Sequence, residues 1–326
     1  MIPYESNITE PSPGIFRIPI PVPLPLKFVY AYAVMDPQGV WIIDLGMDVP
    51  EARQAWHEAT QSLGLDRREV SGVIITHYHP DHIGLAAFAH ELWRAPIYLL
   101  EGEIASARQI FEDQPEAVNM ADFLRKNGAA QEDIRLLNQE AIARRTIVRL
   151  PSELIPLHDL QDIVLGDTTL KILQQSGHTD HQAVIYDQSR EVLFCGDQIL
   201  SRITPNISLW PNADPNPLAS YLASLNSLKR LKVSRGLPAH EHLIDDLNAR
   251  IDAIIAHHFE RSEEVIELLD HPQTGYQVAK RLFKRPLNPY QMRFALSETL
   301  AHLEYLRLSQ RIEREDSDLI MYHKPQ

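Results

Sequence analysis

The segment Thr76-His77-Tyr78-His79-Pro80-Asp81-His82-Ile83-Gly84 places three imidazoles and one carboxylate within six positions. These residue types hold divalent cations or move protons near neutral pH. In extended chain, residues two apart point the same way, so His77 and His79 can converge on one ion. The chain then turns at Pro80 and a helix begins near Asp81, which aims Asp81 and His82 at a neighbouring point. One ion takes only three or four protein ligands, so the cluster suggests two ions side by side. Three later segments also carry a ligating type: Ser176-Gly177-His178-Thr179, Gly196-Asp197, and Gly236-Leu237-Pro238-Ala239-His240. His242, two residues on, competes with His240 on spacing alone.

These groups need elements to position them. Val70 to Thr76, with its apolar run Val73-Ile74-Ile75, reads as a strand buried on both faces, and Ile83 to Trp93 as the helix that follows. Thr169 to Gln174 and Val192 to Cys195 read as strands that run into Gly177-His178 and Gly196-Asp197. Phe28 to Val34 and Gly39 to Asp44 flank the turn Asp36-Pro37-Gln38-Gly39 as a hairpin. Prolines 19, 21, 23 and 25 make Ile18 to Leu26 an extended lead-in or edge segment rather than a central strand. Residues from about 101 to 149 are polar and helix-prone and read as a helical insertion. Its apolar positions Ile104, Ile110, Phe111, Phe123, Leu124 and Leu136 either roof the cluster or pack helix on helix. The part from Glu260 onward changes texture: helices over Arg261 to Leu269, Gly275 to Leu282 and Pro289 to Leu308, then a short strand pair around Ile312 to Tyr322. The alternation of strands and helices makes the class α+β or α/β.

The chain has 326 residues, 44% hydrophobic and 23% charged, enough to bury a core without disulfides. Its single cysteine, Cys195, excludes an internal disulfide and any Cys-rich zinc module. A net charge of −13 repels phosphate backbones and anionic lipid. The C-terminal part from Glu260 holds ten basic and eleven acidic residues, so a groove-reading helix there lacks its electrostatic footprint. With no signal-like N-terminus and no apolar run of ~18 residues, the expectation is a cytoplasmic protein with no membrane and no nucleic-acid partner.

The motif His-x-His-x-Asp-His at 77–82 resembles that of the metallo-β-lactamase superfamily of hydrolases. Gly177-His178-Thr179, Gly196-Asp197 and the Pro-x-His of Pro238-Ala239-His240 resemble its later motifs in the same order. The resemblance implies an α+β, four-layer αβ/βα sandwich over residues 1–258, followed by a small helical, winged-helix-like domain over 259–326. It implies two divalent metal ions, zinc first with manganese or iron able to substitute. His77, His79 and His178 would bind one, Asp81, His82 and His240 the other, and Asp197 would bridge. A bridging hydroxide would then be the nucleophile, with Asp81 as acid/base group. Asp197, where class B1 lactamases have a cysteine, is similar to glyoxalase II and the lactonases. After Thr179 the family's usual Pro-Gly-His is replaced by Asp180-His181-Gln182, so His181 is either a partner of the site or a solvated turn residue.

The function expected on this basis is hydrolysis of a thioester, ester or lactone of a small molecule. The alternatives are a phosphodiesterase or ribonuclease, which would use the same ions on phosphorus, and a non-catalytic metal-bound ligand sensor. Arg202 and Asn206, in the loop after Asp197, are candidates to hold a substrate carboxylate or phosphate. Tyr78, between two ligands, and His181 are candidate substrate contacts. The C-terminal part suits packing or homodimer formation.

Overall fold

Strand β3 (Phe28–Asp36) shows how the sequence builds the layers. Successive side chains point to opposite faces. Val29, Ala31 and Ala33 enter one apolar core and Tyr30, Tyr32 and Val34 another. The computed structural model describes residues 5–112, 117–136 and 147–325. A seven-stranded sheet runs in chain order from β1 (Thr9–Ser12) through β2 (Ile15–Pro21), β3, β4 (Gly39–Ile43), β5 (Val70–Ile74) and β6 (Ile97–Leu100) to β7 (Ile155–Leu157). A second sheet has the order β12 (Arg235–Pro238), β11 (Val192–Gly196), β10 (Gln182–Asp187), β9 (Thr168–Gln175), β8 (Asp162–Leu165).

The sheets meet face to face over Tyr32, Ile43, Ile172, Ile185 and Phe194. Outside the first sheet lie α1 (Pro50–Leu63), α3 (Ala86–Trp93) and α4 (Glu101–Phe111), contributing Trp56, Ala89 and Ala107. Outside the second lie α6 (Pro217–Leu228) and α7 (Leu247–Leu268), contributing Tyr221, Leu225 and Ile251. Four layers, αβ/βα, result, as expected.

The proline-rich segment is strand only as far as Pro21, the end of β2, and bends and turns beyond it. β1 pairs with β2 only as far as Arg17, and beyond it β2 has β3 alone. Pro19 faces Tyr30, whose N–H turns away to the Ala239 carbonyl, so the missing proline donor interrupts no ladder bond. The helix expected over Ile83 to Trp93 is instead two: α2 (Pro80–Ile83), then α3 after a break at Gly84 and Leu85. A Cβ at Gly84 would lie 2.3 Å from the Pro80 carbonyl oxygen and 2.9 Å from the Asp48 nitrogen, so the backbones approach too closely for any side chain.

The insertion is helical where it is described: α4, α5 (Ala117–Lys126) and 131–136, with 113–116 and 137–146 outside the described residues. Ile104 and Phe111 pack under the first sheet, whereas Phe123 and Leu124 pack into the C-terminal core, the helix-on-helix alternative. That core joins Leu124 and Ile134 to Val265, Leu269, Leu300 and Tyr322. It is built on α7, α8 (Gly275–Leu282), α9 (Pro289–Leu308) and the hairpin β13 (Glu313–Asp316) with β14 (Ile320–His323). α7 runs unbroken through residue 258 and so belongs to both parts of the chain. Among the described residues, no helix is long and apolar enough to cross a membrane.

Candidate metal centre

The loops that follow β4, β5, β9, β11 and β12 open on one edge of the two sheets, where strand ends leave polar groups facing a cleft. They bring together three groups able to hold an ion: His77, His79 and His178; Asp81, His82 and His240; and His77, His82 and Asp197. In the first group His79 Nδ1 lies 2.9 Å from His77 Nε2 and 3.0 Å from His178 Nε2. In the second His240 Nε2 lies 3.3 Å and His82 Nε2 3.9 Å from Asp81 Oδ2. Asp197 stands between them. Its Oδ2 is 3.6 Å from His178 Nε2, and its Oδ1 is 3.6 Å from both His82 Nε2 and His240 Nε2. All seven residues expected to meet do so. His242 joins none of the three groups.

Four of the five imidazoles are turned by a hydrogen-bond contact on the far nitrogen, which leaves the inward nitrogen free to ligate. His240 Nδ1 donates to the Phe28 carbonyl at 2.8 Å and His178 Nδ1 to the Asn206 carbonyl at 3.1 Å. His82 Nδ1 donates to Asp44 Oδ2 at 2.9 Å. His77 Nδ1 faces Thr76 Oγ1 at 3.0 Å, and that hydroxyl in turn meets the Asp44 carboxylate. Asp44, at the end of β4, also accepts the Thr76 N–H at 2.8 Å, so one carboxylate braces the start of the whole motif. Gly177 is required before His178. Its φ of +132° suits glycine, and a Cβ would sit 2.5 Å from Tyr221 Cβ.

The donor set fits divalent cations. His82 Nε2 and Asp197 Oδ1 are buried without a hydrogen-bond partner, both on the inner face of the cluster. Such orphaned atoms are costly unless something compensates them. Burial, reinforced by the neighbouring imidazoles, pushes His77 well below the usual imidazole range, and burial with His178 beside it takes His79 down to about 3. Both are therefore neutral ligands at physiological pH. Burial opposes charge on His82 too, but Asp44, Asp197 and Asp81 together outweigh it and raise its pKa. For Asp197 and Asp81 burial is likewise outweighed, here by His82 and His240, and both carboxyls are held below the usual range. That half of the cluster calls for positive charge.

The candidate substrate contacts divide. Tyr78 stands against the centre, its ring centroid 4.9 Å from that of His79 and its N–H donating to Glu103 Oε2 at 2.7 Å. Arg202 is exposed on the rim, and its backbone N–H donates to Glu241 Oε2 at 2.8 Å. Asn206 is engaged elsewhere. Its carbonyl holds His178, while its Nδ2 donates to Glu298 Oε2 of α9 at 3.1 Å and its Oδ1 accepts from Ser208. His181 lies over Gly102, where a Cβ would come within 2.1 Å of its ring, and meets Gln174 Nε2 at 3.2 Å. It makes none of the ring contacts of the cluster. Asp44 and Glu103 were not picked out by sequence reasoning; their only signal is a carboxylate at a strand end or a helix start.

The fold and this edge of histidines and aspartates define a class. The chain belongs to the metallo-beta-lactamase superfamily: the family's model matches residues 24–240, and that of the metallo-beta-lactamase-like C-terminal domain matches 262–325. It is an enzyme of that superfamily. A metallo-beta-lactamase family protein from Thermus thermophilus is 32% identical, with a TM-score of 0.85 over 96% of this chain and 99% of that one. A beta-lactamase domain protein from Burkholderia ambifaria is 27% identical, with a TM-score of 0.88 over 100% and 96%. The chain is also 24% identical to a probable metallo-hydrolase of Bacillus subtilis over 83% of its own length and 85% of the relative's. It is 23% identical to an atrochrysone carboxyl ACP thioesterase of Cryptosporiopsis over 70% of its length, but spans only 54% of that protein.

Proposed function

We propose that this chain is a binuclear, zinc-dependent hydrolase of thioesters, esters or lactones, with acyl thioesters the first class to test. The observation that carries the reading is Asp197, one carboxylate whose two oxygens face two different imidazole groups. His77, His79, His178 and Asp197 would hold one cation, and Asp81, His82, His240 and Asp197 the other. This is the ligand set that resembles glyoxalase II. Bound there, two cations would supply the charge that polarises a carbonyl and the field that brings the pKa of water to ~7. Five nitrogen and two carboxylate ligands suit zinc, with manganese and iron as competitors.

The protein's own groups supply the rest. Asp81 is the more open of the two carboxylates at 16% exposure, against 10% for Asp197. With Oδ2 facing the imidazoles of His82 and His240, Oδ1 is the oxygen to take a proton from water and pass it to the leaving group. Tyr78 walls the cleft beside His79. Arg293 of α9 lies over the Trp210 ring at 4.7 Å, and its charge reaches Tyr78. A substrate with an anionic carrier would meet cations at Arg293 and at Arg202. A thioester is favoured over a phosphodiester by the acidic surface and by the thioesterase among the relatives. The three helices and hairpin of the C-terminal part follow a winged-helix order, but α9 is buried on nearly every side, including Leu296, Leu300, Leu303 and Leu306. It serves as a wall of the cleft rather than as a reader of a DNA groove.

The test is metal content by mass spectrometry on protein purified without added ions, together with turnover on acyl thioesters, lactones and bis-nitrophenyl phosphate. Two ions per chain and thioester or lactone turnover that a chelator abolishes and zinc restores are expected. Turnover of the phosphodiester alone would move the protein to the phosphodiesterases. Bound metal with no turnover on any of these would make it a ligand sensor.

A further inference from the structure

Glu103 is fully buried in the first turn of α4, yet it does not serve its own helix. An acidic residue there would ordinarily answer the helix dipole. Its carboxylate instead reaches out to two other segments. Oε2 accepts the Tyr78 N–H at 2.7 Å, and Oε1 accepts the Thr179 hydroxyl at 2.6 Å. The His181 N–H donates to it as well. No ion pair with Glu103 occurs among the described residues, and burying a carboxylate in this way is costly without a cation. The two segments it ties are those that carry His77 and His79, on either side of Tyr78, and His178, next to Thr179. Those three histidines form one of the ion-holding groups, and they come from different sheets. The neighbouring residue supports the same docking: only a glycine at 102 leaves room for the His181 ring against the start of α4.

We infer that Glu103 is a positioning residue for one half of the metal centre, locking the His77–His79 loop to the His178 loop so that their three nitrogens converge. The inference rests on the binuclear reading above. The opposite half, Asp81, His82 and His240, is braced separately through Asp44 and the Phe28 carbonyl, so Glu103 acts on one ion and not on both. Outer partners of this kind typically tune metal affinity by about 10- to 100-fold.

The experiment titrates zinc into the metal-free full-length chain by calorimetry against a competing chelator, for wild type, Glu103→Gln and Thr179→Val. Thr179→Val removes the same tie from its other end and serves if Glu103→Gln folds poorly. Each is repeated in a His240→Ala background, which leaves the His77, His79 and His178 group, and in a His178→Ala background, which leaves the other. The expected result is a weakening of about 10- to 100-fold in the His240→Ala background and less than about threefold in the His178→Ala background. Equal weakening in both backgrounds, or none in either, overturns the role given to Glu103. Fewer than two ions bound by wild type overturns the binuclear reading itself, and the inference with it.

Discussion

Two carboxylates set the centre at the scale of single residues, and they act differently. Asp197 faces both imidazole groups, so Asp197→Ala should lower the metal content from two ions per chain while the secondary structure stays intact by circular dichroism. A variant that keeps both ions would deny it the bridging place. Asp44 touches no inward nitrogen; it orients His82 and takes the hydroxyl and N–H of Thr76. Asp44→Asn keeps the shape but removes the charge that supports His82, and should weaken metal binding by about 10- to 100-fold in a chelator competition. Of the seven inward residues, His77, His79, Asp81 and His82 were legible because imidazoles crowded into a strand-to-helix turn have few structural uses, whereas His178, Asp197 and His240 were placed by the resemblance of their motifs to the family's. Asp44 and Glu103 were neither, because a lone carboxylate at a strand end or in a first helical turn is equally well explained as a cap. Asn206 misleads for a similar reason: a polar residue in a loop near the site looks free until a distant helix is seen to use it.

Elements decide how firmly those residues stand. The segment after Asp197 is fastened to α9 by Asn206 to Glu298, by Ser208 to Ser297 at 3.0 Å, and by the Leu209 N–H to the Ser297 carbonyl at 3.1 Å. The C-terminal helix therefore reaches His178 through one residue, Asn206. Burial, partly offset by Arg261 and Asn206, raises the Glu298 carboxyl, so this side of the link has little other solvation. Asn206→Ala leaves Glu298 short of a donor and should cost about 1–3 kcal/mol in urea unfolding. It should also loosen zinc at the His178 site, and unchanged stability would show the tie to be decorative. Most elements were readable from their two-residue or helical periodicity, the C-terminal helices and hairpin included. Three strands were not: β1, β7 and β12, at four, three and four residues, are too short for a pattern to emerge. The break between α2 and α3 also escaped, because it is imposed by backbone contact at Gly84 rather than by a helix-stopping residue nearby.

The two parts of the molecule share a core, and this should show in its response to acid. His258 of α7 and His302 of α9 are buried at 1% and 0% exposure, with Nδ1 of one 3.2 Å from Nε2 of the other. Burial pushes His302 down to about 4 and, with His302 beside it, His258 to about 2. Both are therefore neutral in the fold but take up protons near 6.5 once unfolded. Where the unfolded chain binds more protons, stability falls as pH falls. The contribution is intact above pH 6.5 and is lost between 6.5 and about 4, by up to about 1.4 kcal/mol per pH unit for each histidine. General charge predicts the opposite trend down to the pI near 5.6, since a chain of net −13 at pH 7 repels itself less as it is acidified toward that point. Urea unfolding of the metal-free chain from pH 7.5 to 4.5 separates the two, with His302→Gln removing one titrating member of the pair while leaving the imidazoles of the metal centre in place. The variant should lose less stability than wild type across that window; parallel profiles would mean that the join between α7 and α9 carries no acid sensitivity of its own.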